Sequence, residues 1–221
     1  MVTSDEIIQY WESNITLSSA WREIYHEIER LASDLNPVSV LDVGCGQSHI
    51  GKFFNDYTGL EISIPALKAA VKNNPKNHYL RGDGLHLPFK NRMFDLVICS
   101  DVIEHIQDKD RLLNELTRVF KKHVLITTPP KGTPMEMLWT IYCGLKGIEY
   151  IDTPYEWRMS KKDLLNMMKN HGLAIRNHRY LGFRLPYSRR IRFLKSLEEA
   201  LYRSQIFKGY ILLVFSEKVQ D

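Results

Sequence analysis

The sequence predicts an α/β fold with a doubly wound, mostly parallel sheet and helices on both of its faces. Three observations support this prediction. Short apolar runs alternate with segments of helical period between residues 39 and 128. The connections between them are short, as in repeated β-α-β units. The run Phe94–Ser100 is almost wholly apolar, which is typical of a strand covered on both faces.

The first 36 residues are predicted to form helices that precede the sheet. Thr3 and Glu6 have the spacing of a capping box, which indicates that a helix begins there. A second amphipathic helix is predicted over residues 18–35, and Pro37 stops it.

Strands and helices then alternate up to residue 128. The helix that begins after Ser63 has the strongest boundary signals, since Pro65 lies in its first turn and Asn73-Asn74-Pro75 ends it. The predicted elements are strand 39–43, helix 46–55, strand 57–62, helix 63–73, strand 78–81, strand 94–100, helix 109–120 and strand 123–128.

The alternation breaks after Pro129-Pro130 and resumes at residue 160. Ser160-x-x-Asp163 is predicted to cap a helix that Gly172 ends. Two further strands are predicted over 174–182 and 209–217, with a basic helix between them. The whole chain, 1–221, is interpreted as one domain.

Residues 131–157 are predicted to be an insertion that covers a substrate as a lid. The segment is rich in Met and aromatic residues, which adapt to irregular apolar ligands. Its candidate substrate-binding residues are Tyr142, Tyr155 and Trp157. The alternative is a small separate core under a long loop.

The net charge of +4 is unevenly distributed. Residues 164–197 contain no Asp or Glu and carry 8 Lys and Arg residues, so the rest of the chain is net acidic. The segment 184–195 is therefore a candidate contact for RNA or an anionic surface. The alternative is a solvated face without a ligand, and the segment lacks the regular aromatic residues that stack on bases.

The sequence predicts a cytoplasmic protein that does not span a membrane. Residues 1–6 are acidic and lack the basic region of a signal peptide. The longest apolar run, 210–215, is too short to cross a bilayer. The three cysteines, Cys45, Cys99 and Cys143, have no metal-ligand spacing and are interpreted as reduced thiols.

A glycine turn follows the first predicted strand. Gly44 and Gly46 come directly after a buried strand that contains Asp42, so a ligand can approach the backbone closely there. A dinucleotide fold requires a third glycine where this chain has His49. That difference disfavours NAD and FAD and favours a ligand without a pyrophosphate.

Acidic residues end the next two strands. Glu61 lies 15 residues after Gly46, where an acid can accept hydrogen bonds from both ribose hydroxyls. Asp83 can accept from an adenine amino group, and Ile62 and Leu85 can sandwich the base. Together with Asp42, these carboxylates suit a ligand with hydroxyls, an amino group and a positive sulfur, and they repel a pyrophosphate.

Four sequence motifs, which follow one another along the chain, resemble those of the class I S-adenosylmethionine (SAM)-dependent methyltransferases, of the group called type 11. The resemblance covers residues 40 to about 130. It implies a Rossmann-like, seven-stranded sheet of order 3-2-1-4-5-7-6 with the seventh strand antiparallel, and S-adenosylhomocysteine (SAH) as product. The motifs are Val40–Gly46, Leu60-Glu61, Gly82-Asp83-Gly84 with Leu87-Pro88-Phe89, and Phe94–Val97 with Asp101–His105. Ser48 departs from the pattern, since many members have a glycine there.

The resemblance also implies roles for individual residues. Asp42, Gly44 and Gly46 would hold the methionine part of SAM, and Glu61 would hold the ribose. Asp83 and Gly84 would hold the adenine edge. Ser100 would lie beneath the sulfonium, with Asp101 and His105 on the acceptor side.

The Glu104-His105 pair leaves three interpretations open. His105 can pack in the substrate pocket, act as a general base, or bind a metal as in RNA 3′-end methyltransferases that have a Glu-x-x-Glu-His cluster. This chain has Asp101 at the first position of that cluster, and His123 and His171 are poor candidates for a further ligand. No metal site is therefore predicted.

The predicted function is transfer of a methyl group from SAM to a small, partly apolar acceptor by in-line displacement. The leaving group departs neutral, so positioning can supply much of the catalysis. Two alternatives remain: a methyltransferase that acts on RNA or another polyanion, and a non-catalytic SAM-binding partner subunit. An NAD enzyme is disfavoured by His49.

Overall fold

A computed structural model of the chain describes residues 19–133, 136–137, 141, 157–181 and 211–218. Two short 3-10 turns, Gly51–Phe53 and Ile103–His105, follow the loops after β1 and β4. The helices and strands are α1 (Ser19–Leu35), β1 (Val40–Val43), β2 (Tyr57–Glu61), α2 (Ile64–Asn73), β3 (His78–Arg81), β4 (Phe94–Ser100), α3 (Lys109–Val119), β5 (Phe120–Thr128), α4 (Lys161–Asn170), β6 (Leu173–Leu181) and β7 (Ile211–Lys218).

The seven described strands form one sheet of order β3-β2-β1-β4-β5-β7-β6. Strands β1 to β5 pair in parallel. Strand β7 lies antiparallel between β5 and β6. The predicted fold class and the sheet order that the resemblance implies are both confirmed, with one antiparallel strand making the sheet mixed.

Alternate residues of the central strands face two separate apolar layers, because successive side chains of a strand point to opposite faces. In β4, Val97 and Cys99 belong to one layer, which also contains the buried faces of α3 and α4. Leu96 and Ile98 belong to the other, which contains Ile24 of α1. Helices therefore cover both faces of the sheet, which explains why the sequence of β4 is apolar throughout.

The predicted helix 46–55 is wrong, since the structure forms only the 3-10 turn Gly51–Phe53 there. Gly46 and Ser48 have φ of +51° and +57°, in the left-handed region. A right-handed helix cannot pass through such residues. The predicted strand 123–128 also begins earlier, at Phe120, because α3 passes directly into β5.

Several predictions concern segments outside the described residues: the helix near Thr3, most of the insertion with Tyr142 and Tyr155, the basic segment 184–195, and Cys143. Of the other cysteines, Cys45 and Cys99 are free and buried. None of the helices in the described ranges is long and apolar enough to cross a membrane.

Candidate active site

The candidate site lies where the sheet order changes direction, between β1 and β4. Connections run from β1 outward through β2 to β3, and then return to β4 on the other side of β1. Ligands of open α/β sheets bind at this position, beyond the carboxyl ends of the strands. Because β1 to β5 are parallel, Gly44, Glu61, Asp83 and Ser100 all follow or end strands at the same edge.

Two glycines give the turn after β1 its shape. Gly44 has φ +76°, and a Cβ added to it would collide with the Val102 side chain. Gly46 has φ +51°, and a Cβ added there would have no atom of the described residues within 4 Å. Gly44 is therefore required by packing, whereas Gly46 borders open space that a ligand can enter.

Glu61 ties the end of β2 to this turn. Its Oε2 accepts a hydrogen bond from the Gly46 amide at 3.0 Å. Its Oε1 accepts from the amides of Ile62 and Ser63 at 2.8 and 2.9 Å. These bonds fix the carboxylate, which has lone pairs left for further donors.

Asp42 is a buried carboxylate with one oxygen unpaired. Its side chain lies on β1, and the residue is 3% exposed. Oδ2 accepts a hydrogen bond of 2.6 Å from the Tyr57 hydroxyl. Oδ1 has no hydrogen-bond partner in the described part of the chain. Burial raises the pKa of Asp42 to about 7; the Tyr57 bond opposes that rise and the charge of Glu61 adds to it.

Ser48 lies fully buried in the loop after the glycine turn. The Tyr79 hydroxyl lies 2.9 Å from Ser48 Oγ and 3.2 Å from the Asn74 carbonyl oxygen. Tyr79 therefore ties this loop to β3 and to the end of α2.

Three asparagines at the end of α2 hold the backbone after the glycine turn. Each donates a side-chain amide hydrogen bond to a loop carbonyl: Asn73 to Gln47 at 3.0 Å, Asn74 to Ser48 at 2.5 Å, and Asn77 to Gly51 at 2.9 Å. We call them the asparagine clamp. They satisfy carbonyls that an α-helix at 46–55 would have paired internally.

Asp83 lies in the loop after β3, at the same sheet edge. Its Oδ1 accepts from the Leu85 amide at 2.9 Å, and its Oδ2 lies 3.5 Å from His86 Nδ1. The two residues predicted to sandwich a base are both accessible: Ile62 is 37% exposed and Leu85 is half-buried.

The loop that carries Asp83 is braced from α3. The Arg118 guanidinium donates to the carbonyls of Leu87 and Phe89 at 2.8 and 2.7 Å. Glu115 accepts from the Leu87 amide at 2.7 Å and from Arg118 at 2.7 Å. Arg118 and Glu115 are thus paired with each other, and they bind the carbonyl and the amide of Leu87 respectively.

Ser100, Asp101 and Thr127 form a polar cluster at the ends of β4 and β5. The Ser100 and Thr127 hydroxyls are 2.7 Å apart, and Thr127 donates to Asp101 Oδ2 at 3.1 Å. Asp101 has φ +52°, an uncommon conformation for a residue other than glycine. Its amide donates to the Thr127 carbonyl at 2.9 Å, which holds this conformation.

The turn that carries His105 lies against the returning end of the insertion. Glu104 is buried and accepts from the Thr128 hydroxyl at 3.0 Å. Its carbonyl accepts from the Trp157 amide at 2.6 Å, and Trp157 is 37% exposed. His105 is half-buried, and its amide donates to the Val102 carbonyl at 2.9 Å. In the described ranges, no group of three or more His, Cys, Asp or Glu residues is placed to hold a metal ion.

Tyr25 of α1 lies beside the loop after the glycine turn and was not among the predicted site residues. Its ring centroid lies 5.6 Å from that of His49. Burial raises its pKa, and the charges of Asp101 and Asp42 raise it further. The available signal was its position next to Ile24 on the apolar stripe of α1, which places it toward the sheet.

A family model described as Methyltransferase domain matches residues 41–127. An uncharacterized protein of Methanocaldococcus jannaschii is 30% identical over 163 residues, which is 72% of this chain and 60% of that protein. The chain thus spans less than two thirds of that relative. The demethylmenaquinone methyltransferase of Thermotoga maritima is 28% identical over 183 residues, covering 72% of this chain and 79% of the enzyme.

Among solved structures, magnesium protoporphyrin IX methyltransferase from Synechocystis, with bound SAH, has a TM-score of 0.68 at 15% identity. That alignment covers 98% of this chain and 100% of the other, and it shows the fold. The chain is therefore similar to methyltransferases, and its residues 41–127 match the methyltransferase domain model.

Proposed function

We propose that this chain transfers the methyl group of SAM to a small, partly apolar acceptor. The observation that carries the proposal is the unpaired, buried Oδ1 of Asp42 beside the glycine turn. An unsatisfied buried oxygen is costly, so its position marks where a ligand donor is expected. SAM, when bound, supplies a methyl group on a positively charged sulfur and an ammonium group that can donate to such an oxygen.

The residues at this sheet edge fit the cofactor. We assign Asp42 to the ammonium group and Glu61 to the ribose hydroxyls. Asp83 and Gly84 would hold the adenine edge, and Ile62 and Leu85 would pack on its faces. Gly44 and Gly46 would let the methionine part approach the backbone, and Ser100 would lie beneath the sulfonium. Three carboxylates from neighbouring strands stabilise a cation and repel a pyrophosphate.

The acceptor side is assigned to the ends of β4 and β5 and to the insertion. We propose Asp101, His105 and Trp157 as acceptor contacts, together with Tyr142 and Tyr155, which lie outside the described residues. His105 would take the proton of an acceptor that must lose one. The leaving group departs as a neutral sulfide, so no acid is required for it, and alignment of acceptor and methyl is the main task of the protein.

The lid assignment of residues 131–157 is supported by contacts at both ends of the segment. The Lys131 amide donates to the Met159 carbonyl at 2.8 Å, and the Trp157 amide donates to Glu104. Both ends are therefore attached beside the elements that carry Asp101 and His105. We propose that the insertion covers the acceptor and that residues 1–221 act as one domain.

A partly apolar acceptor is supported by the Met and aromatic content of the insertion. The name of the Thermotoga relative, which methylates demethylmenaquinone, is consistent with such an acceptor. A polyanionic acceptor would depend on the basic segment 184–195, which lies outside the described residues. We therefore treat methylation of RNA, and cofactor binding without catalysis, as outcomes of the test.

The test measures cofactor binding first and transfer second. Calorimetry is expected to show binding of SAM and SAH and no binding of NAD. SAM with a labelled methyl group is then incubated with a panel of quinols, phenols, acyl thioesters and RNA. Label in a quinol, phenol or thioester supports the proposal. Label in RNA alone, or tight SAM binding without transfer to any acceptor, would replace it with the corresponding alternative.

A further inference from the structure

We infer that the outer face of helix α2 binds an anionic lipid surface. Four residues define this face: Ile64, Lys68, Val71 and Lys72. Their spacing along the helix places them on one side of it, because residues three or four positions apart are neighbours on a helix surface. None of the four is assigned to SAM or to the acceptor, and the proposed function does not depend on them.

Helix α2 turns mostly small side chains toward the protein and two bulky ones away from it. Apart from the half-buried Leu67, its inward residues are alanines: Ala66, Ala69 and Ala70. Ile64 and Val71 are instead 44% and 50% exposed, although the branched apolar residues of a surface helix ordinarily face the core. Packing inside the protein therefore does not explain why Ile and Val stand at these two positions.

The outer face of α2 carries positive charge and no negative charge. Lys68 and Lys72 are exposed, and neither forms an ion pair with any residue in the described ranges. The stretch from residue 62 to residue 82 contains four Lys and Arg residues and no Asp or Glu. Unpaired cations beside exposed apolar side chains favour an anionic partner that also takes up apolar groups.

The residue types of this face favour lipid over protein or nucleic acid. Protein interfaces are enriched in aromatic residues, Met and Arg, and they are depleted in Lys. Single-stranded nucleic acids bind through aromatic side chains that stack on the bases, and this face has none. A second copy of the chain would bring lysines against lysines. A bilayer with anionic headgroups accepts both kinds of side chain, since Lys stays at the headgroups while Ile and Val enter the acyl boundary.

Both ends of α2 are fixed, so its outer face keeps one orientation. At the start of the helix, Ser63 Oγ accepts from the Ala66 amide at 3.3 Å. At its end, Asn73 and Asn74 of the asparagine clamp donate to carbonyls of the loop after β1. The first and last residues of the face lie about 12 Å apart along the helix axis, at 1.5 Å per residue. A flat surface can therefore contact the whole face at once.

The experiment measures binding to lipid vesicles by co-sedimentation, at low and at high salt. One set of vesicles contains phosphatidylcholine alone, and the other contains phosphatidylcholine with phosphatidylglycerol. The unmodified protein is expected to bind the anionic vesicles at low salt and not the neutral ones, and high salt should release it. Circular dichroism melts confirm that each variant described below is folded.

The first variant removes the charge of the face by combining Lys68→Gln with Lys72→Gln. We expect it to bind the anionic vesicles on the order of tenfold more weakly, since two attractive charges near the surface are lost. The matched control combines Lys162→Gln with Lys169→Gln, which removes the same charge from exposed positions on α4. Helix α4 packs on the opposite face of the sheet from α2, so the control should retain most of the binding.

The second variant removes the apolar groups by combining Ile64→Thr with Val71→Thr, which keeps the branched shape of both side chains. We expect binding to the anionic vesicles to weaken several-fold, since these side chains no longer bury apolar surface in the lipid. Val38→Thr is the control, because Val38 is 73% exposed in the loop between α1 and β1 and does not belong to the face. It should leave binding unchanged.

Three results would decide against a lipid-binding face on α2. Failure of the unmodified protein to bind anionic vesicles would overturn it. Equal losses for the lysine pairs of α2 and α4 would assign the binding to net charge, and would overturn it as well. If the threonine variant bound as tightly as the unmodified protein, no apolar group would enter the surface, and a polyanion such as RNA or an acidic protein would replace lipid as the occupant. Calorimetry with SAM tests the proposed function separately from all three.

Discussion

A carboxylate buried as deeply as that of Asp42 destabilises the folded state when it is charged. Its pKa is about 7 in the ligand-free protein, compared with 3.8 for the exposed group. Between these values the folded state keeps a proton that the unfolded state loses, so the free energy of unfolding falls as pH rises from about 4 to 7. Above pH 7 both states have lost the proton and this contribution stays constant.

Asp42→Asn should remove this pH dependence. Below pH 4 the variant and the unmodified protein should be equally stable. Above pH 7 the variant should be more stable by about 4 kcal/mol, since the pKa rises from 3.8 to about 7 and each pKa unit corresponds to about 1.4 kcal/mol. Urea unfolding of ligand-free protein at several pH values measures this difference. A constant difference across the range would show that Asp42 does not titrate there.

The sequence predicted which residues lie at the candidate site better than it predicted the contacts between them. Asp42, Glu61 and Asp83 were predicted because an acid at the end of a strand is a local pattern. The Tyr57 bond to Asp42 joins residues 15 positions apart on neighbouring strands, and no local pattern encodes it. Tyr25 was missed for a different reason, because a tyrosine on an amphipathic helix is most often a packing residue.

At the scale of elements, the loop after β1 depends on α2 for its shape. The asparagine clamp replaces the hydrogen bonds that a helix would have made. The prediction of a helix over 46–55 relied on the helical spacing of the apolar residues Ile50, Phe53 and Phe54. It failed because such spacing does not reveal the left-handed backbone at Gly46 and Ser48. Helix α2 itself was predicted correctly, since its Ser63 cap and Pro65 are local signals.

Asn74→Ala should weaken SAM binding several-fold while costing about 1 kcal/mol of stability, the usual contribution of one hydrogen bond. The reason is that the Ser48 carbonyl loses its donor and the loop backbone is no longer held. Calorimetry and urea unfolding measure the two effects. Asn170→Ala, at an exposed position on α4, is the control and should change neither quantity.

The brace from α3 gives a second prediction at this scale. Arg118→Lys keeps the charge but loses the planar set of donors that reaches the carbonyls of Leu87 and Phe89. We expect a loss of roughly 1–3 kcal/mol in the free energy of unfolding, since two part-buried carbonyls lose their partners. SAM affinity should also fall, because the loop that carries Asp83 is no longer held by Arg118. Equal stability of the variant would show that the brace is dispensable.

At the scale of the whole molecule, the fold class followed from alternating strands and helices, whereas the neighbours of each strand did not. Strand order depends on contacts between distant segments, and the order was available only through the resemblance to a family. The last two described strands were predicted from their sequences, but nothing local indicates that β7 lies between β5 and β6.

A ligand that binds only the folded state should raise the melting temperature of the whole chain. At a concentration of SAH 100 times its dissociation constant, the stabilisation is about 2.7 kcal/mol. For a chain of this size that corresponds to a rise of about 5–10 °C. Differential scanning fluorimetry with SAH and NAD measures it. A rise with NAD and none with SAH would contradict the cofactor assignment.

The position of β7 has a consequence for synthesis of the chain. Both long edges of this strand are paired inside the sheet, with β5 on one side and β6 on the other. While the ribosome is still making the residues before 211, the outer edge of β5 has no partner from β7. Such an open, apolar strand edge can pair with strands of other nascent chains. The stage of synthesis most exposed to aggregation therefore ends only when residue 218 has been added and has left the ribosome.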